Sequence, residues 1–221
     1  MRQVINYKNT NATLPTPVLT LLKSIYRDEN HLGHIMFPYR TDAFESIEMT
    51  FKITSNTGYI FRDNGSSEHP DLSWKFYADG NNNDIKYTVP TEGYETHTMT
   101  SLLLGPFSDY YNIKRHIRFD GAPMRVYDCD TSTYLGETCC DDRIGGNVLS
   151  WGYDASAAPG QYYADTVSNY LYEVTLYSDN DGTTPLAHYI PAKLGNSIGL
   201  YDTISDTFIS GYGTLGYEYN S

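Results

Sequence analysis

The carboxyl-terminal part of the chain places the strongest constraint on its fold. Residues 171–177 read Leu-Tyr-Glu-Val-Thr-Leu-Tyr, a run in which aromatic and β-branched residues alternate between two sides, as in a half-buried strand. Residues 179–182, Asp-Asn-Asp-Gly, have the backbone freedom that a tight turn requires, and residues 186–192 supply a second apolar run. This stretch therefore predicts a β-hairpin.

The segment after the hairpin predicts a second turn that closes the domain. The side chains of Asp202 and Ser205 can hydrogen-bond nearby backbone amides and so turn the chain, and Ile204 is expected as a further apolar anchor. We call this feature the clasp and expect it to be structural. Its members are Pro191, Gly199, Leu200, Tyr201, Asp202 and Phe208.

Short strands separated by Gly, Asn and Asp turns recur through the rest of the chain. In residues 44–53 the alternation places Glu45, Ile47, Met49, Phe51 and Ile53 on one mostly apolar face, which is expected to face the core. Residues 18–26 fit a strand or a short helix, and the strand is preferred. Further strands are predicted at residues 57–62, 74–78, 85–89, 110–119 and 124–127, the last two joined by a two-residue Asp120-Gly121 turn. The pattern indicates a two-sheet sandwich.

Length and charge limit the domain count and the partners. The 221 residues fit one large all-β domain or two small ones, and one domain is the better interpretation. The net charge of −12 repels phosphate backbones, so binding to nucleic acid or insertion into an anionic membrane is not expected. The basic residues Lys114, Arg115, His116 and Arg118 are interpreted as a solvated strand face.

Residues 1–20 are polar and interrupted by prolines, which predicts an extended arm ahead of a sandwich at residues 21–221. Such an arm needs a partner to become ordered, so we expect it to anchor the protein in an assembly. The residues assigned to this assembly arm are Val4, Ile5, Tyr7, Leu14, Pro15 and Pro17.

The amino-terminal sequence and the number of cysteines both predict a reducing compartment. The amino terminus lacks the apolar stretch of a secretory signal, which predicts synthesis in the cytoplasm. Cys129, Cys139 and Cys140 are too few and too clustered for a disulfide framework, so thiols are expected, although a bridge from Cys129 to either of the others is sterically conceivable. No metal site is expected. His31 and His34 are interpreted as surface loop histidines.

The carboxyl-terminal order of motifs resembles that of concanavalin A-like, or laminin-G-like, jelly-roll domains of gut bacteria and their phages. The likeness rests on the hairpin, the Ile-Pro-Ala of residues 190–192, the Gly-Leu-Tyr-Asp-Thr of residues 199–203 and the glycine-rich end. Residues 44–53 and 148–153 resemble the first long strand and the late strand of that family. The resemblance implies an antiparallel two-sheet jelly roll across residues 21–217.

The resemblance also implies a class of ligand. Lectins of this fold bind sugars with an aromatic platform and Asp or Asn groups, often organised by calcium. No cofactor is expected here, with calcium as the alternative that stays open. Residues 179–181 and Trp151 are further candidates for such contacts, but a plain turn is preferred for the first and a core position for the second. The carbohydrate-binding candidates are Trp74, Tyr153, Asp154, Tyr162, Tyr163 and Asp165.

Catalysis is not expected. Glycosidases on this fold place two carboxylates in one cleft from a string such as Glu-x-Asp-x-x-Glu, and the sequence contains no such string. Glu45 and Glu48, three residues apart on a strand, point to opposite faces. No catalytic residue is assigned.

These observations lead to one expected function and two alternatives. The preferred one is a non-enzymatic bacteriophage virion protein, such as a capsid decoration, head-fibre or tail component, that is assembled in the host cytoplasm and displays the sandwich to host or mucosal glycans. Its expected partners are other virion proteins and copies of itself, with a trimer as one arrangement. The alternatives are an extracellular or surface carbohydrate-binding module of a gut bacterium and, less favoured, a glycoside hydrolase.

Overall fold

The computed structural model describes residues 17–41, 43–63, 74–90, 99–121, 125–138, 148–152 and 168–221 of the chain. Within these ranges the protein consists of sixteen strands and one short 3-10 helix, Phe107–Asp109. No helix of the described residues is long and apolar enough to cross a membrane. The predicted all-β class is therefore confirmed.

The strands form two antiparallel sheets that pack face to face. The larger sheet has the order β10-β9-β8-β3-β12-β1-β13-β14-β15, with β16 paired to β1, and the smaller sheet has the order β2-β11-β4-β5-β6-β7. The larger sheet contains β1 Leu19–Arg27, β3 Ser46–Ile53, β8 Lys114–Asp120, β9 Arg125–Asp128, β10 Thr133–Glu137, β12 Asn169–Tyr177, β13 Pro185–Leu194, β14 Ser197–Asp202, β15 Thr207–Ser210 and β16 Gly216–Tyr219. The smaller sheet contains β2 Ile35–Arg40, β4 Gly58–Asp63, β5 Lys75–Asp79, β6 Asp84–Pro90, β7 Met99–Pro106 and β11 Val148–Trp151.

The predicted carboxyl-terminal hairpin is formed by β12 and β13, with Val174 opposite Tyr189. Along its other edge, β12 pairs with β3 over the whole length of both strands. The hairpin therefore lies near the middle of the larger sheet.

The preferred strand interpretation of residues 18–26 is confirmed by β1. β12 and β13 pair with each other only near their shared turn, and β1 lies between them beyond that part. There β1 pairs with β12 at Ile25 and with β13 at Leu21. Leu22 also pairs with Tyr219 of β16, so the described carboxyl terminus is joined to β1. Because β1 begins at Leu19, its first two residues fall inside the range assigned to the arm.

The core lies between the two sheets and is rich in aromatic rings. Phe51 of β3 meets Phe76 of β5 edge to face, with 5.2 Å between ring centroids, and Phe37 of β2 meets Tyr189 of β13 in the same way. Each contact joins one sheet to the other. Burial of one such side chain contributes about 1.5–3 kcal/mol. The core face predicted for residues 44–53 is confirmed by the buried Ile47, Met49, Phe51 and Ile53, whereas Glu45 precedes the strand and is exposed.

The predicted two-residue turn at Asp120-Gly121 is wrong, although the hairpin around it exists. Asp120 is the last residue of β8 and pairs with Arg125, the first residue of β9, so Asp120 belongs to the strand and not to the turn. The N–H of Gly121 donates to the carbonyl of Glu45 at 2.8 Å, which joins the end of β8 to the residue before β3. The first strand of this hairpin also begins only at Lys114, because Tyr110 donates its N–H to Phe107 in a 3-10 turn.

Candidate functional site

Most of the residues proposed from the sequence as sugar contacts lie outside the described residues, namely Tyr153, Asp154, Tyr162, Tyr163 and Asp165. The exception is Trp74, whose side chain is only 5% exposed. Its ring packs edge to face against Tyr87 and Phe119, with centroids 5.5 and 5.7 Å away. Trp74 is therefore a core residue, which corrects its assignment as a sugar platform.

Among the other sequence-derived candidates, Trp151 is fully buried, as preferred. The turn at residues 179–181 is held by Asp179, whose carboxylate accepts the N–H groups of Asp181 and Thr183. Hydrogen bonds, the largest from the Thr184 side chain, lower the pKa of Asp179 below its usual range. The carboxylate is thus engaged in shaping a turn, in line with the preferred interpretation.

Of the assembly-arm residues only Pro17 lies within the described ranges, exposed ahead of β1. The others, Val4, Ile5, Tyr7, Leu14 and Pro15, lie outside them.

The clasp has the structure expected of it around Asp202. This carboxylate is 1% exposed and accepts hydrogen bonds from the N–H of His188, the N–H of Ile204 and the hydroxyl of Ser205. Burial by itself raises the pKa of Asp202, but these hydrogen bonds outweigh it and hold the pKa below its usual range. The carboxylate therefore ties β13 to the turn between β14 and β15.

The other clasp residues lie on β13, β14 and β15. Leu200 is fully buried, Gly199 and Pro191 are buried beside it, and Tyr201 and Phe208 pair across β14 and β15 at half-buried positions. Ile204 does not anchor the turn, because it lies at the tip and is 49% exposed.

His34 departs from the surface-loop interpretation. Its side chain is 6% exposed and stacks on Tyr212. His31 agrees better with that interpretation, since it is half-exposed and its Nδ1 lies 2.8 Å from Asp28. The two histidines thus have different environments, and neither belongs to a metal-ligating cluster within the described part of the chain.

An open cleft of about 330 Å³ lies beside the turn between β5 and β6 on the smaller sheet. The rings of Tyr59 and Tyr77 form its aromatic wall, with centroids 5.9 Å apart and planes inclined by 56°. We call it the tyrosine cleft. Its lining residues are Thr57, Gly58, Tyr59, Tyr77, Ala78, Asp79, Gly80 and Asn81.

The sheet holds both rings of the tyrosine cleft in place. Tyr59 and Tyr77 are cross-strand partners on β4 and β5, so the sheet sets their separation. The guanidinium of Arg62 lies 4.7 Å from the Tyr59 ring centroid, and the Thr88 hydroxyl lies 3.5 Å from the Tyr77 hydroxyl. The platform is therefore largely preformed, which reduces the entropy lost when a ligand binds.

Asp79 supplies the negative charge of the tyrosine cleft. Its carboxylate accepts hydrogen bonds from Lys86 at 2.6 Å and from Asn82 at 2.7 Å, which together lower its pKa to about 2. Asp79 is therefore ionised at neutral pH. Together with Asn81 it places hydrogen-bonding groups beside two aromatic rings, an arrangement that suits the hydroxyl groups and the apolar face of a sugar.

A second polar cluster lies on the outer face of the larger sheet. Glu48, His116 and Cys129 place one potential ligand atom each within 4.8 Å of one another. The Nε2 of His116 lies 2.6 Å from Glu48, and the Tyr177 hydroxyl donates to the other carboxylate oxygen at 3.3 Å. Burial, followed by the charge of Glu48, raises the pKa of the Cys129 thiol to about 12.

The basic residues around His116 contact carboxylates or an aromatic ring. Arg115 pairs with Asp128 at 3.3 Å, and Arg118 pairs with Asp120 at 2.8 Å. Lys114 lies over the ring of Tyr172, 4.8 Å from its centroid. These interactions support the interpretation of a solvated strand face over that of a phosphate site.

Comparison with known proteins identifies a solved structure of similar fold. No family model matches the sequence, and no curated protein sequence matches it. A solved structure that is similar is a heptameric SAP-like pentraxin from Limulus polyphemus, with a TM-score of 0.51 and 12% identity over 92% of this chain and 95% of the pentraxin. The chain shares with this pentraxin the fold of a two-sheet antiparallel jelly roll. The sialidase CBM40 of Ruminococcus gnavus bound to α2,6-sialyllactose aligns with a TM-score of 0.45 and 10% identity, over 68% of this chain and 94% of that domain.

Sequence reasoning did not find the tyrosine cleft or the Glu48 cluster. Their members come from separate strands, and only the sheet order brings Tyr59 beside Tyr77, or Glu48 beside His116. The sequence does contain a partial signal for the cleft, because the polar run at residues 79–84 separates two predicted strands and a tyrosine precedes it by two residues.

Proposed function

We propose that the protein is a non-enzymatic, lectin-like jelly roll that binds saccharide in the tyrosine cleft. The observation that carries the proposal is the paired rings of Tyr59 and Tyr77 beside the ionised Asp79. An aromatic wall with a few fixed polar groups in an open cleft favours a sugar over a purely apolar ligand. The jelly-roll fold is compatible with this role but does not by itself assign it.

The absence of catalysis is part of the proposal. Hydrolysis of a glycosidic bond requires two carboxyl groups that face each other across the sugar. In the tyrosine cleft, as far as the described residues line it, Asp79 is the single carboxylate, and the low pKa of that group suits an acceptor better than a general acid.

Glycan-array binding of the full chain, followed by calorimetry on the best ligand, tests this function. We expect Tyr77→Ala and Asp79→Asn each to weaken binding by about tenfold or more. Tyr77→Ala removes part of the aromatic wall, and Asp79→Asn removes the negative charge and one of the two acceptor oxygens. Tyr134→Ala is the matched control. Tyr134 belongs to a similar pair with Tyr127 on the larger sheet, with ring centroids 5.6 Å apart.

The result that contradicts the glycan site is binding that survives both cleft variants, or no glycan binding at all. Because Tyr77→Ala could also loosen the sheet, its melting temperature is measured beside that of the wild type. Asp79→Asn keeps the size of the side chain and so tests the cleft without a cavity.

We further propose that the sandwich is displayed on a bacteriophage particle as a capsid decoration, head fibre or tail component, with the arm as its anchor. The support is the polar, proline-containing sequence of the arm, the acidic composition, and the resemblance noted in the carboxyl-terminal motifs. A homo-oligomer would add avidity, which a shallow sugar site needs.

Removal of residues 1–16 tests the anchor while it leaves β1, which starts at Leu19, intact. We expect the truncated protein to fold and to bind glycan as before, but to be lost from purified phage particles. Incorporation at the wild-type level contradicts the anchor. Recovery of the full chain with the bacterial surface rather than with particles favours the bacterial carbohydrate-binding module instead.

A further inference from the structure

Three adjacent segments of the larger sheet bring Glu48, His116 and Cys129 together on one face. Glu48 lies on β3 and His116 on β8, whose core-facing neighbours Met49 and Ile117 are paired and buried. Cys129 follows β9 directly, and its N–H donates to the carbonyl of His116 at 2.8 Å. Because side chains alternate along strands, all three ligand groups project from the outer face.

The spacing of these groups suits a single small cation. The three candidate ligand atoms lie within 4.8 Å of one another, and His116 Nε2 lies 2.6 Å from Glu48 Oε1. Around tetrahedral zinc, bonds of about 2.0–2.3 Å separate neighbouring ligand atoms by roughly 3.3–3.8 Å. A modest side-chain adjustment therefore places an ion between them.

Groups around the cluster orient one ligand and add negative charge beside another. The Tyr177 hydroxyl donates to Glu48 Oε2 and so fixes that carboxylate. Asp130 lies 4.0 Å from His116 Nδ1, the nitrogen that faces away from Glu48. This distance is too long for a hydrogen bond, so Asp130 contributes charge without holding the ring.

The charges around the cluster also favour a cation. Glu48 and Asp130 contribute negative charge directly. Arg118, the cross-strand partner of Glu48, pairs with Asp120 at 2.8 Å and lies 5.1 Å from the Tyr127 ring centroid. The side chains of His116 and Glu48 are 33% and 20% exposed, so an ion can reach them from solvent.

We propose that Glu48, His116 and Cys129 bind Zn²⁺. A thiolate, an imidazole and a carboxylate together select a borderline-soft ion, whereas Ca²⁺ and Mg²⁺ take oxygen ligands. Three protein ligands leave the fourth tetrahedral position open to solvent. Calcium, the ion often found in lectins of this fold, is not the ion that this donor set selects.

Titration of the full chain with Zn²⁺, after chelator treatment and under a non-thiol reductant, tests the site. We expect one equivalent to bind, and His116→Gln to weaken binding by about tenfold or more. His188→Gln is the matched control, because His188 forms a similar pair with Glu173 at 2.7 Å outside this cluster. It should alter the affinity by less than about twofold. Absence of binding, or equal affinity in His116→Gln, overturns the proposal.

Co²⁺ substitution identifies the sulfur ligand independently of affinity. A thiolate-to-cobalt charge-transfer band should form in the wild type and in a variant carrying both Cys139→Ser and Cys140→Ser, and it should be lost in Cys129→Ser. A band that survives Cys129→Ser places the metal elsewhere and overturns the assignment. His116, Cys129 and His188 lie on the outer face of the sheet, so their substitution should leave the fold intact. Cys139 and Cys140 lie outside the described residues. The melting temperature of every variant is therefore measured beside that of the wild type.

Discussion

His34 lies nearly parallel to Tyr212, with ring centroids 5.1 Å apart and an interplanar angle of 12°. The two backbones also exchange hydrogen bonds of 2.9 and 2.8 Å, so the segment before β2 is tied to the loop between β15 and β16. Burial, and secondarily the charge of Arg27, lowers the pKa of His34 to about 4. The imidazole is therefore neutral in the folded protein at neutral pH.

This burial predicts an acid-dependent loss of stability. Below its ordinary pKa of about 6.5, His34 binds a proton in the unfolded chain but not in the folded one, so stability falls as the pH falls from about 6.5 to about 4. His34→Phe keeps a ring to stack on Tyr212 but does not titrate. Between pH 7 and pH 4.5 the wild type should lose about 1–2 kcal/mol more than this variant, as measured by urea unfolding. Equal losses would exclude His34 as the source.

Replacement of the clasp carboxylate, Asp202, should lower the free energy of unfolding substantially. Asp202→Ala removes a buried carboxylate and leaves the N–H groups of His188 and Ile204 without their acceptor, which should cost about 2–4 kcal/mol of unfolding free energy. Asp202→Asn keeps one acceptor oxygen and should cost less. Asp181→Ala, in the exposed turn between β12 and β13, is the control and should cost less than about 0.5 kcal/mol.

This clasp prediction also separates structure from binding. Glycan affinity per folded molecule should remain unchanged in Asp202→Asn, because Asp202 lies on the larger sheet and the tyrosine cleft on the smaller one. A variant that melts as the wild type does but no longer binds glycan would show that the clasp is part of a binding site.

Gly199 is required by the close approach of β15. A Cβ atom at this position would overlap the carbonyl oxygen of Ile209, which belongs to the paired strand and cannot rotate away. Gly199→Ala should therefore cost about 2 kcal/mol or more through displacement of β15. Gly195→Ala is the control. At Gly195 the nearest atom, from Pro17, lies 3.7 Å from an added Cβ, so only the positive φ of +60° opposes the side chain, at about 1 kcal/mol. Equal thermal shifts for the two variants would contradict the packing argument.

A structural feature is predictable from the sequence when the residues that form it are close together in the chain. The hairpin of β12 and β13 is predictable because alternation and turn residues act locally, and Asp202 is predictable because its hydrogen-bond partner Ile204 lies two residues away. The sequence predicts Trp74 as a sugar contact from its residue type alone, which does not show which face of the sheet it lies on; the side chain packs in the core with Phe119. The cluster at Glu48 and His116 depends on β3 lying beside β8, a pairing of distant segments that no local pattern encodes.

Asp79 and Lys86 provide a titration that reports on the tyrosine cleft. The hydrogen bond from Lys86 is the main reason that the pKa of Asp79 lies near 2, so Lys86→Met should raise this pKa toward its ordinary value. A depressed carboxyl pKa stabilises the fold above about pH 4 and loses this contribution as the pH falls toward 2. Carbon-detected NMR titration of the Asp79 carboxyl group measures the change directly.

Salt provides a second check on the same pair, because Asp79 and Lys86 are near solvent, with side chains 16% and 20% exposed. Screening at about 1 M salt should move the wild-type pKa of Asp79 upward, and should move it less in Lys86→Met. Lys52→Met, on the larger sheet, should leave the titration of Asp79 unchanged, since Lys52 lies over the ring of Tyr170 instead. If Lys86→Met does not shift the pKa, hydrogen bonds from Asn82 and from the N–H of Asn81 hold the carboxylate on their own, and the lysine is not the main cause of the low pKa of Asp79.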